Sequence, residues 1–253
     1  MTGFVIRLCD PALLAQAKPG ATCVSVGKAP GHHSVAQDQI NLRLIRAAGQ
    51  GHAVVRLICG DPGIFGRGAE EAQALSAAGI AWTIIPGVTA ACAAVASAHS
   101  FLTERGVTER LVLATGHRRA GSVTDWSAAA ASGTTLACYM AVAGAADMQR
   151  GRTAAGWPGH CPVEVISKAQ TRDELILRGS LNELAALCRG RKNLNPAIVP
   201  IRWPAQPDIT TLARLAGQAG SGRFGPTVGP GHSGWRAVHQ RVEAQAARGE
   251  LVG

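Results

Sequence analysis

The sequence predicts an α/β protein made of two lobes with a ligand-binding cleft between them. In the first half of the chain, β-favouring apolar runs alternate with helical patterns, whereas in the second half predicted strands follow one another more closely. The third observation is the stretch 54–68, where an apolar run ends at Gly60 and a helical pattern begins at Ala69. A strand that stops at a glycine-rich turn before a helix is where open α/β sheets bind their ligands.

The first half of the chain has the strand–helix alternation of a parallel sheet. Apolar runs predict strands over residues 4–8, 22–26, 54–59, 80–85 and 111–114. Helical patterns are present over residues 11–17, 35–48, 69–78 and 90–99. In the second helix, Ser34 and Gln37 have the spacing of a capping box, and Ile40 and Leu44 fall on one face. We therefore expect parallel strands covered by helices.

In the second half the predicted strands follow one another more closely, and the chain ends in a glycine-rich tail. Strands are predicted over 134–139, 162–167, 175–178 and 197–201, and helices at 125–126, 142–152 and 181–188. The predicted domains are an N-terminal lobe over residues 1–118 and a C-terminal lobe over residues 119–203. Residues 204–253 are expected to form a flexible tail with a candidate short helix from Trp235.

Composition limits the class of protein. Apolar residues make up 47% of the chain, so a sizeable core can form, and no apolar run reaches the length of a membrane span. The seven cysteines are scattered without a C-x-x-C pair, which predicts reduced thiols in the cytoplasm and neither a disulfide framework nor a metal site. The net charge of +9 fits either compositional bias or attraction to a polyanion. Because no basic run is interleaved with aromatics, we expect no nucleic-acid partner.

Residue types and positions alone suggest a few candidate site residues. Lys28 follows a predicted strand, where it could hold an anion or transfer a proton, although a lysine at such a position is more often a solvated surface residue. Asp61 at the end of the central strand is a stronger candidate, because loops there line the cleft. Met140 ends another strand, a position more often occupied by a core residue than by a ligand contact. These patterns predict an α/β protein with a cleft for a small, anionic molecule.

Four segments, taken together and in order, carry a family resemblance. They are G-K-A-P-G-H-H-S-V-A-Q (27–37), V-V-R-L-I-C-G-D-P-G-I-F-G-R-G-A-E-E (54–71), I-P-G-V-T-A-A (85–91) and T-L-A-C-Y-M (135–140). The set resembles the tetrapyrrole methylase family, and above all its uroporphyrinogen-III C-methyltransferases. The similarity extends over residues 4–202. It implies two α/β lobes with S-adenosylmethionine bound in the cleft between them.

The resemblance also implies a reaction and a set of contacts. The methyl donor would contact Gly60, Asp61, Ile64, Thr89, Ala90, Met140 and, as a looser match, Ala169. Lys28 matches the lysine to which the family assigns proton donation. The implied reaction transfers two methyl groups to uroporphyrinogen III and gives precorrin-2. The implied protein is a cytoplasmic homodimer without membrane contact, whose positive charge suits a polycarboxylate tetrapyrrole.

Departures from the family pattern keep two other functions open. The family begins with a strand and a G-x-G-P-G-D loop that carries the assigned proton acceptor, and we expect this chain to lack both, through a misplaced start codon or a truncation. Ile58, Cys59 and Gly63 replace a lysine, a glycine and a phenylalanine, and Ala29 replaces an arginine. The alternatives are a methyltransferase acting on another precorrin or acceptor, and a non-catalytic homologue that binds S-adenosylmethionine or a tetrapyrrole.

Overall fold

The computed structural model describes residues 2–5, 11–26, 35–116, 129–191 and 193–205 of the 253-residue chain. The chain separates into two compact units, Met1–Pro207 and Asp208–Gly253, and every described residue lies in the first. Lys28 and the helices predicted at 125–126 and in the tail lie outside the described residues. None of the helices within the described ranges is long and apolar enough to cross a membrane.

The first sheet has three short parallel strands in the order β2-β1-β3. They are β1 (Thr2–Val5), β2 (Thr22–Ser25) and β3 (Val54–Leu57). A 3-10 helix (Pro11–Gln16) connects β1 to β2. The α-helices of this half of the chain are α1 (Gln37–Gly49), α2 (Gly68–Ala77) and α3 (Ala90–Ser97). Because β1 and β2 are both joined to their parallel neighbours by helical connections, the predicted parallel arrangement is confirmed for these strands.

Helix α1 buries the face that the sequence pattern predicts. Its buried residues are Ile40, Leu44 and Ala47, which recur at the spacing of one helical stripe. Together with Val26 they form a small apolar cluster of four buried residues. The helix is followed by Gly51, which adopts a φ of 79° that favours glycine. The described residues of α1 and the residue that follows β2 thus share one small apolar cluster.

The second sheet has five longer strands in the order β4-β5-β8-β6-β7. They are β4 (Arg110–Thr115), β5 (Thr134–Tyr139), β6 (Pro162–Ser167), β7 (Leu175–Ser180) and β8 (Ala197–Trp203). Only the β4–β5 pair is parallel, and the other neighbours are antiparallel. Its helices are α4 (Ala145–Ala154) and α5 (Leu184–Cys188), the latter preceded by a 3-10 turn (Leu181–Glu183).

Strand β5 separates the two apolar clusters of the second sheet. All six of its residues are buried. Leu136 and Cys138 pack in a cluster with residues of α4 and α5, while Ala137 and Tyr139 pack in a cluster with residues of α3. This alternation follows from the two-residue period of a strand, which sends successive side chains to opposite faces. Helix α3 therefore lies on the face of the second sheet opposite α4 and α5.

The predicted strand over residues 80–85 is wrong. Residues 80–89 form neither helix nor strand, and Trp82, Ile84 and Ile85 are 46%, 48% and 75% exposed. β-Favouring residues form a strand only where a neighbouring backbone can pair with them. Among the described residues, neither sheet supplies a pairing partner for this segment. The residue types indicate extended chain but cannot indicate whether a partner strand is present.

The predicted capping box of α1 involves Ser34, which lies outside the described residues. The helix begins at Gln37, and its N-cap is Ala36. The Gln37 side chain donates to Asn41 Oδ1 at 3.1 Å and to Glu71 Oε1 at 2.9 Å. A carboxylate is a stronger acceptor than a neutral oxygen, so the Gln37 amide turns towards α2. The predicted lobe boundaries at residues 118 and 203 stay predictions.

Candidate functional site

The loop between β3 and α2, residues 58–67, is organised by the carboxylate of Asp61. Asp61 Oδ1 accepts a hydrogen bond from the backbone N–H of Gly63 at 2.8 Å. Asp61 Oδ2 accepts one from the backbone N–H of Gly87 at 3.0 Å. One side chain therefore shapes its own loop and fixes it to the turn that precedes α3. Each carboxylate oxygen retains capacity for a further donor.

Glycine is required where this loop meets the turn before α3. Gly60 has a φ of 82°, in the left-handed region that favours glycine. A Cβ atom added to Gly87 would lie 2.4 Å from the carbonyl oxygen of Gly60. No side chain fits in that space, so the two backbones can approach this closely only with glycine at position 87.

The hydroxyl of Tyr139 joins the N-terminus of α3 to the end of β5. It lies 2.5 Å from Thr89 Oγ1 and accepts a hydrogen bond from the backbone N–H of Ala91 at 3.2 Å. Thr89 is the N-cap of α3, but its own side chain makes no capping hydrogen bond, so Tyr139 satisfies a first-turn N–H in its place. The Tyr139 ring also lies 4.8 Å, centroid to centroid, from the ring of Phe65.

The remaining predicted donor contacts surround the same point. Ile64, Ala90 and Ala169 all pack against the apolar cluster that contains Tyr139. Met140 follows Tyr139 directly and exposes 49% of its surface. Seven of the eight predicted site residues therefore lie in the Asp61 loop, at the start of α3, at the end of β5 or against the cluster that contains Tyr139. The eighth, Lys28, lies outside the described residues. Their roles in binding and catalysis stay predictions.

Strained backbone is concentrated in the loops of this candidate site. Five residues other than glycine have positive φ there: Phe65, Arg67, Met140, Lys168 and Gln170. Such conformations cost free energy and persist where the surrounding structure imposes them, which is frequent at ligand sites. In the turn after β6, Lys168 and Gln170 flank Ala169 with φ values of 48° and 64°. This turn therefore holds Ala169 in a defined backbone geometry.

Two adjacent glutamates in the first turn of α2, Glu70 and Glu71, each form an ion pair. Arg67 and Glu70 form an exposed ion pair at 2.6 Å, and the hydrogen bond from Arg67 lowers the pKa of Glu70. Glu71, the next residue, is buried and pairs with Arg56 on β3 at 2.9 Å. Within the described ranges, no three His, Cys, Asp or Glu side chains cluster as a metal ion would require.

Sequence reasoning missed three residues that shape this site: Tyr139, Arg56 and Glu71. Tyr139 lies within the motif at residues 135–140, is the one tyrosine in the chain and directly precedes Met140. Arg56 interrupts an apolar strand, and Glu71 falls on the inner face of α2. A charged residue at a position where periodicity expects an apolar one is the signal that could have identified this pair.

The fold and the arrangement of these loops are those of a known class of methyltransferases. Residues 7–185 match the family model of the Tetrapyrrole (Corrin/Porphyrin) Methylases. The chain therefore belongs to the tetrapyrrole methylase family, as the sequence resemblance implies.

Curated relatives of the chain are siroheme synthases. The chain is 39% identical over 218 residues to the siroheme synthase of Tolumonas auensis, covering 86% of this chain and 46% of the relative. It is 38% identical over 213 residues to that of Gluconacetobacter diazotrophicus, covering 83% and 45%. The chain thus spans less than half the length of these relatives.

Solved structures show the same fold. A uroporphyrin-III C-methyltransferase from Thermus thermophilus complexed with S-adenosylhomocysteine has a TM-score of 0.66 and 28% identity, covering 79% of this chain and 84% of that one. A cobalt precorrin-4 methyltransferase has a TM-score of 0.66 and 25% identity, covering 80% and 83%. The predicted α/β fold class is confirmed.

Proposed function

We propose that this chain catalyses the S-adenosylmethionine-dependent C-methylation of uroporphyrinogen III to precorrin-2, a step in siroheme and cobalamin biosynthesis. The observation that carries the proposal is the meeting of the Asp61 loop, the start of α3 and the end of β5 around Tyr139. These segments contain the motifs of the family, and a structural relative is complexed with S-adenosylhomocysteine. The siroheme synthase relatives support the same reaction.

The residues present fit a methyl donor of this kind. The half-exposed side chain of Met140 and the half-buried Ile64 and Ala169 offer apolar contact. The Asp61 carboxylate, with spare acceptor capacity, offers a partner for donor N–H or hydroxyl groups. When bound, S-adenosylmethionine supplies an electrophilic methyl group on a positively charged sulfur. In the proposal Gly60, Asp61, Ile64, Thr89, Ala90, Met140 and Ala169 hold it.

The work of the chain is then mainly orientation and exclusion of water. Tyr139 is 8% exposed and fixes Thr89 and the start of α3. Ala91 and Ala94 beside it are fully buried, so this wall of the site excludes solvent. Lys28 Nζ takes the proton-donating role that the resemblance assigns to it. The net charge of +9 favours approach of a polycarboxylate acceptor.

Calorimetric titration with S-adenosylhomocysteine tests donor binding, and precorrin-2 formation tests the reaction. We expect micromolar affinity, about −8 kcal/mol. Asp61→Asn replaces one acceptor oxygen by an NH2 group, which can only donate, and removes the charge. It should weaken binding about tenfold or more, because charge-assisted hydrogen bonds to the backbone are lost. The matched control is Asp147→Asn, an exposed aspartate on α4 that pairs with Arg150, which should bind like the wild type.

A second candidate is methylation of another precorrin. It is favoured by the cobalt precorrin-4 methyltransferase, whose TM-score equals that of the uroporphyrin-III enzyme. Assays with uroporphyrinogen III and with later precorrins as acceptors separate the two. Product from a later precorrin alone would replace the first proposal. Donor binding without any turnover would favour the non-catalytic homologue.

The proposed protein is a cytoplasmic homodimer, an expectation that rests on the family resemblance. Light scattering of the purified chain, which has a monomer mass of 26.0 kDa, measures the oligomeric state. A mass of about twice the monomer would support the homodimer, and a monomer at the concentrations used for turnover would refute it.

A further inference from the structure

The Arg56–Glu71 pair is a buried charge cluster that the proposed reaction does not use. Glu71 is 4% exposed. Its Oε1 atom accepts hydrogen bonds from Arg56 Nε at 3.2 Å, from Arg56 Nη2 at 2.9 Å and from Gln37 Nε2 at 2.9 Å. Arg56 Nη1 also donates to the carbonyl oxygen of Leu57 at 2.8 Å. The two charged groups thus have a defined geometry through several donors.

The pair spans the two ends of the loop that carries Asp61. Arg56 lies on β3 just before the loop begins, and Glu71 lies in the first turn of α2, just after the loop ends. Glu71 is the buried residue of α2, whose other residues are half-buried or exposed. The orientation of α2's first turn on the sheet therefore depends on this ion pair more than on apolar packing.

A movement of α2's first turn would be transmitted to Asp61. A Cβ atom added to Gly68, the first residue of α2, would lie 2.7 Å from the carbonyl oxygen of Pro62. One added to Gly66 would lie 3.0 Å from the Ile58 side chain and 3.2 Å from the Pro62 oxygen. The loop is thus folded tightly on itself, and Pro62 is bonded directly to Asp61. The helix start and the carboxylate are mechanically connected.

Stability alone is a weak explanation for a buried ion pair. Desolvation offsets much of the attraction between the charges, and apolar side chains of similar size often stabilise a core equally well. What the pair adds is direction, because Nε and Nη2 of the guanidinium both donate to the same carboxylate oxygen, Oε1 of Glu71. Gln37 adds a third fixed point, since only its amide nitrogen can donate to the carboxylate.

We infer that Glu71 and Arg56 are positioning residues that set the geometry of the Asp61 loop for methyl-donor binding. The inference rests on the proposed function for its ligand, and it assigns these residues no contact with donor or acceptor. Breaking the pair should release the two loop ends, so that Asp61 no longer holds the N–H groups of Gly63 and Gly87 together. Donor affinity should then fall, although the fold remains.

The test compares Glu71→Gln with the wild-type chain by titration with S-adenosylhomocysteine, at a temperature where both are folded by circular dichroism. We expect about tenfold weaker binding, the effect of about 1.4 kcal/mol. Arg56→Lys keeps the charge but loses the paired donors, so its affinity should lie between that of the wild type and that of Glu71→Gln. The control is Leu184→Ala, which truncates a fully buried core residue of α5 remote from the loop. This variant should lower Tm at least as much as Glu71→Gln does and should leave the affinity within about twofold of the wild type.

A double-mutant cycle separates positioning from a general loss of stability. If Glu71 acts through Asp61, the Glu71→Gln/Asp61→Asn double variant should bind no more weakly than Asp61→Asn alone. Additive losses, or wild-type affinity in both Glu71→Gln and Arg56→Lys, would overturn the inference.

A readout without ligand distinguishes failure of this inference from failure of the proposed function. Amide hydrogen exchange at Gly63 and Gly87 should be faster in Glu71→Gln than in the wild type, while exchange in β5 stays unchanged. If the wild type binds no donor, the proposed function fails, and the exchange rates still decide whether the pair positions the loop. Unchanged exchange at both glycines would contradict the positioning role.

Discussion

The two sheets of this protein differ in how they are held together. The first has strands of four residues, and no residue of β3 is buried. The second has strands of six or seven residues, and every residue of β5 is buried. Four buried residues form the cluster under α1, whereas the clusters on the two faces of the second sheet contain fifteen and nine. Among the residues whose burial the structure describes, the second sheet therefore has the larger share of the apolar core.

This difference shows that the candidate site combines two kinds of support. Tyr139 is part of a strand buried on both faces, so its position follows from apolar packing. Asp61 stands on the loop that follows β3, a strand without a buried residue. The contacts that hold this loop are polar: the bonds of Asp61 to Gly63 and Gly87, and the pair of Arg56 with Glu71. We expect substitutions in the two regions to have different effects.

The largest expected contrast is in thiol reactivity. Cys23, Cys59 and Cys92 are exposed, whereas Cys138 and Cys161 in the second sheet's core are buried. Burial raises the pKa of Cys138 from 9.0 to about 12, which lowers its thiolate fraction about a thousandfold. Burial likewise raises the pKa of Cys161 to about 11. Alkylation at pH 8 followed by peptide mass spectrometry should label the exposed cysteines at least a thousandfold faster than Cys138. Rapid labelling of Cys138 would contradict the comparison.

Core truncations should show the next largest effect. Leu136→Ala removes a fully buried side chain from the largest cluster and should lower the free energy of unfolding by about 4 kcal/mol. Leu44→Ala, in the cluster of four, should cost about 2 kcal/mol because its surroundings can collapse into the space. Urea denaturation of both variants measures this difference. Equal losses would mean that the small core is packed as tightly as the large one.

The buried carboxylate of the second sheet gives a pH-dependent contrast. Burial would raise the pKa of Glu164, but hydrogen bonds from Ser100, Arg202 and Arg178 outweigh it and hold the pKa below the ordinary 4.5. The stability that this group contributes is therefore present above pH 4.5 and is lost as pH falls through the lower folded-state pKa. Glu164→Gln should cost about 2 kcal/mol at pH 7 and should flatten the acid limb of the stability curve. An unchanged acid limb would show that the hydrogen bonds of Glu164 do not cause the loss of stability at low pH.

Helix capping provides the smallest contrast. Ser180 and Glu183 form a capping box before α5, whereas the N-cap of α1 is Ala36, whose side chain has no hydrogen-bond acceptor. Ser180→Ala should lower the free energy of unfolding by about 1 kcal/mol, and Ala36→Ser should raise the stability of the first lobe by a similar amount. Thermal unfolding and native-state hydrogen exchange measure both changes. A loss of stability in Ala36→Ser would show that position 36 cannot accommodate a cap.

How well the sequence predicts the fold depends on where the pairing partners are. Strand β5 has the ends that the sequence predicts, because a β-favouring run follows Gly133 and ends before Met140. The buried face of α1 was predicted from periodicity. The strand expected over residues 80–85 failed, because residue propensity indicates extended backbone but carries no information about a neighbouring strand.

The candidate site shows the same division between local and distant information. Gly60 and Asp61 could be identified locally, since a strand, a glycine turn and a helix follow one another there. Tyr139 could not be assigned its place, because its partners Thr89 and Phe65 are separated from it by fifty and seventy-four residues. The sequence around Glu71 does not distinguish it from the exposed charged residues of a helix, because its burial depends on the contact with Arg56. Contacts between distant residues set these roles.

Tyr139 also makes the site observable by itself. The chain contains a single tyrosine, and its hydroxyl and ring touch Thr89, Ala91 and Phe65 at the meeting point of three loops. Protein produced with 3-fluorotyrosine would therefore carry one fluorine nucleus, and its ¹⁹F spectrum would contain one resonance from this point. The molecule has a built-in spectroscopic reporter, which registers events among these loops without any engineered label.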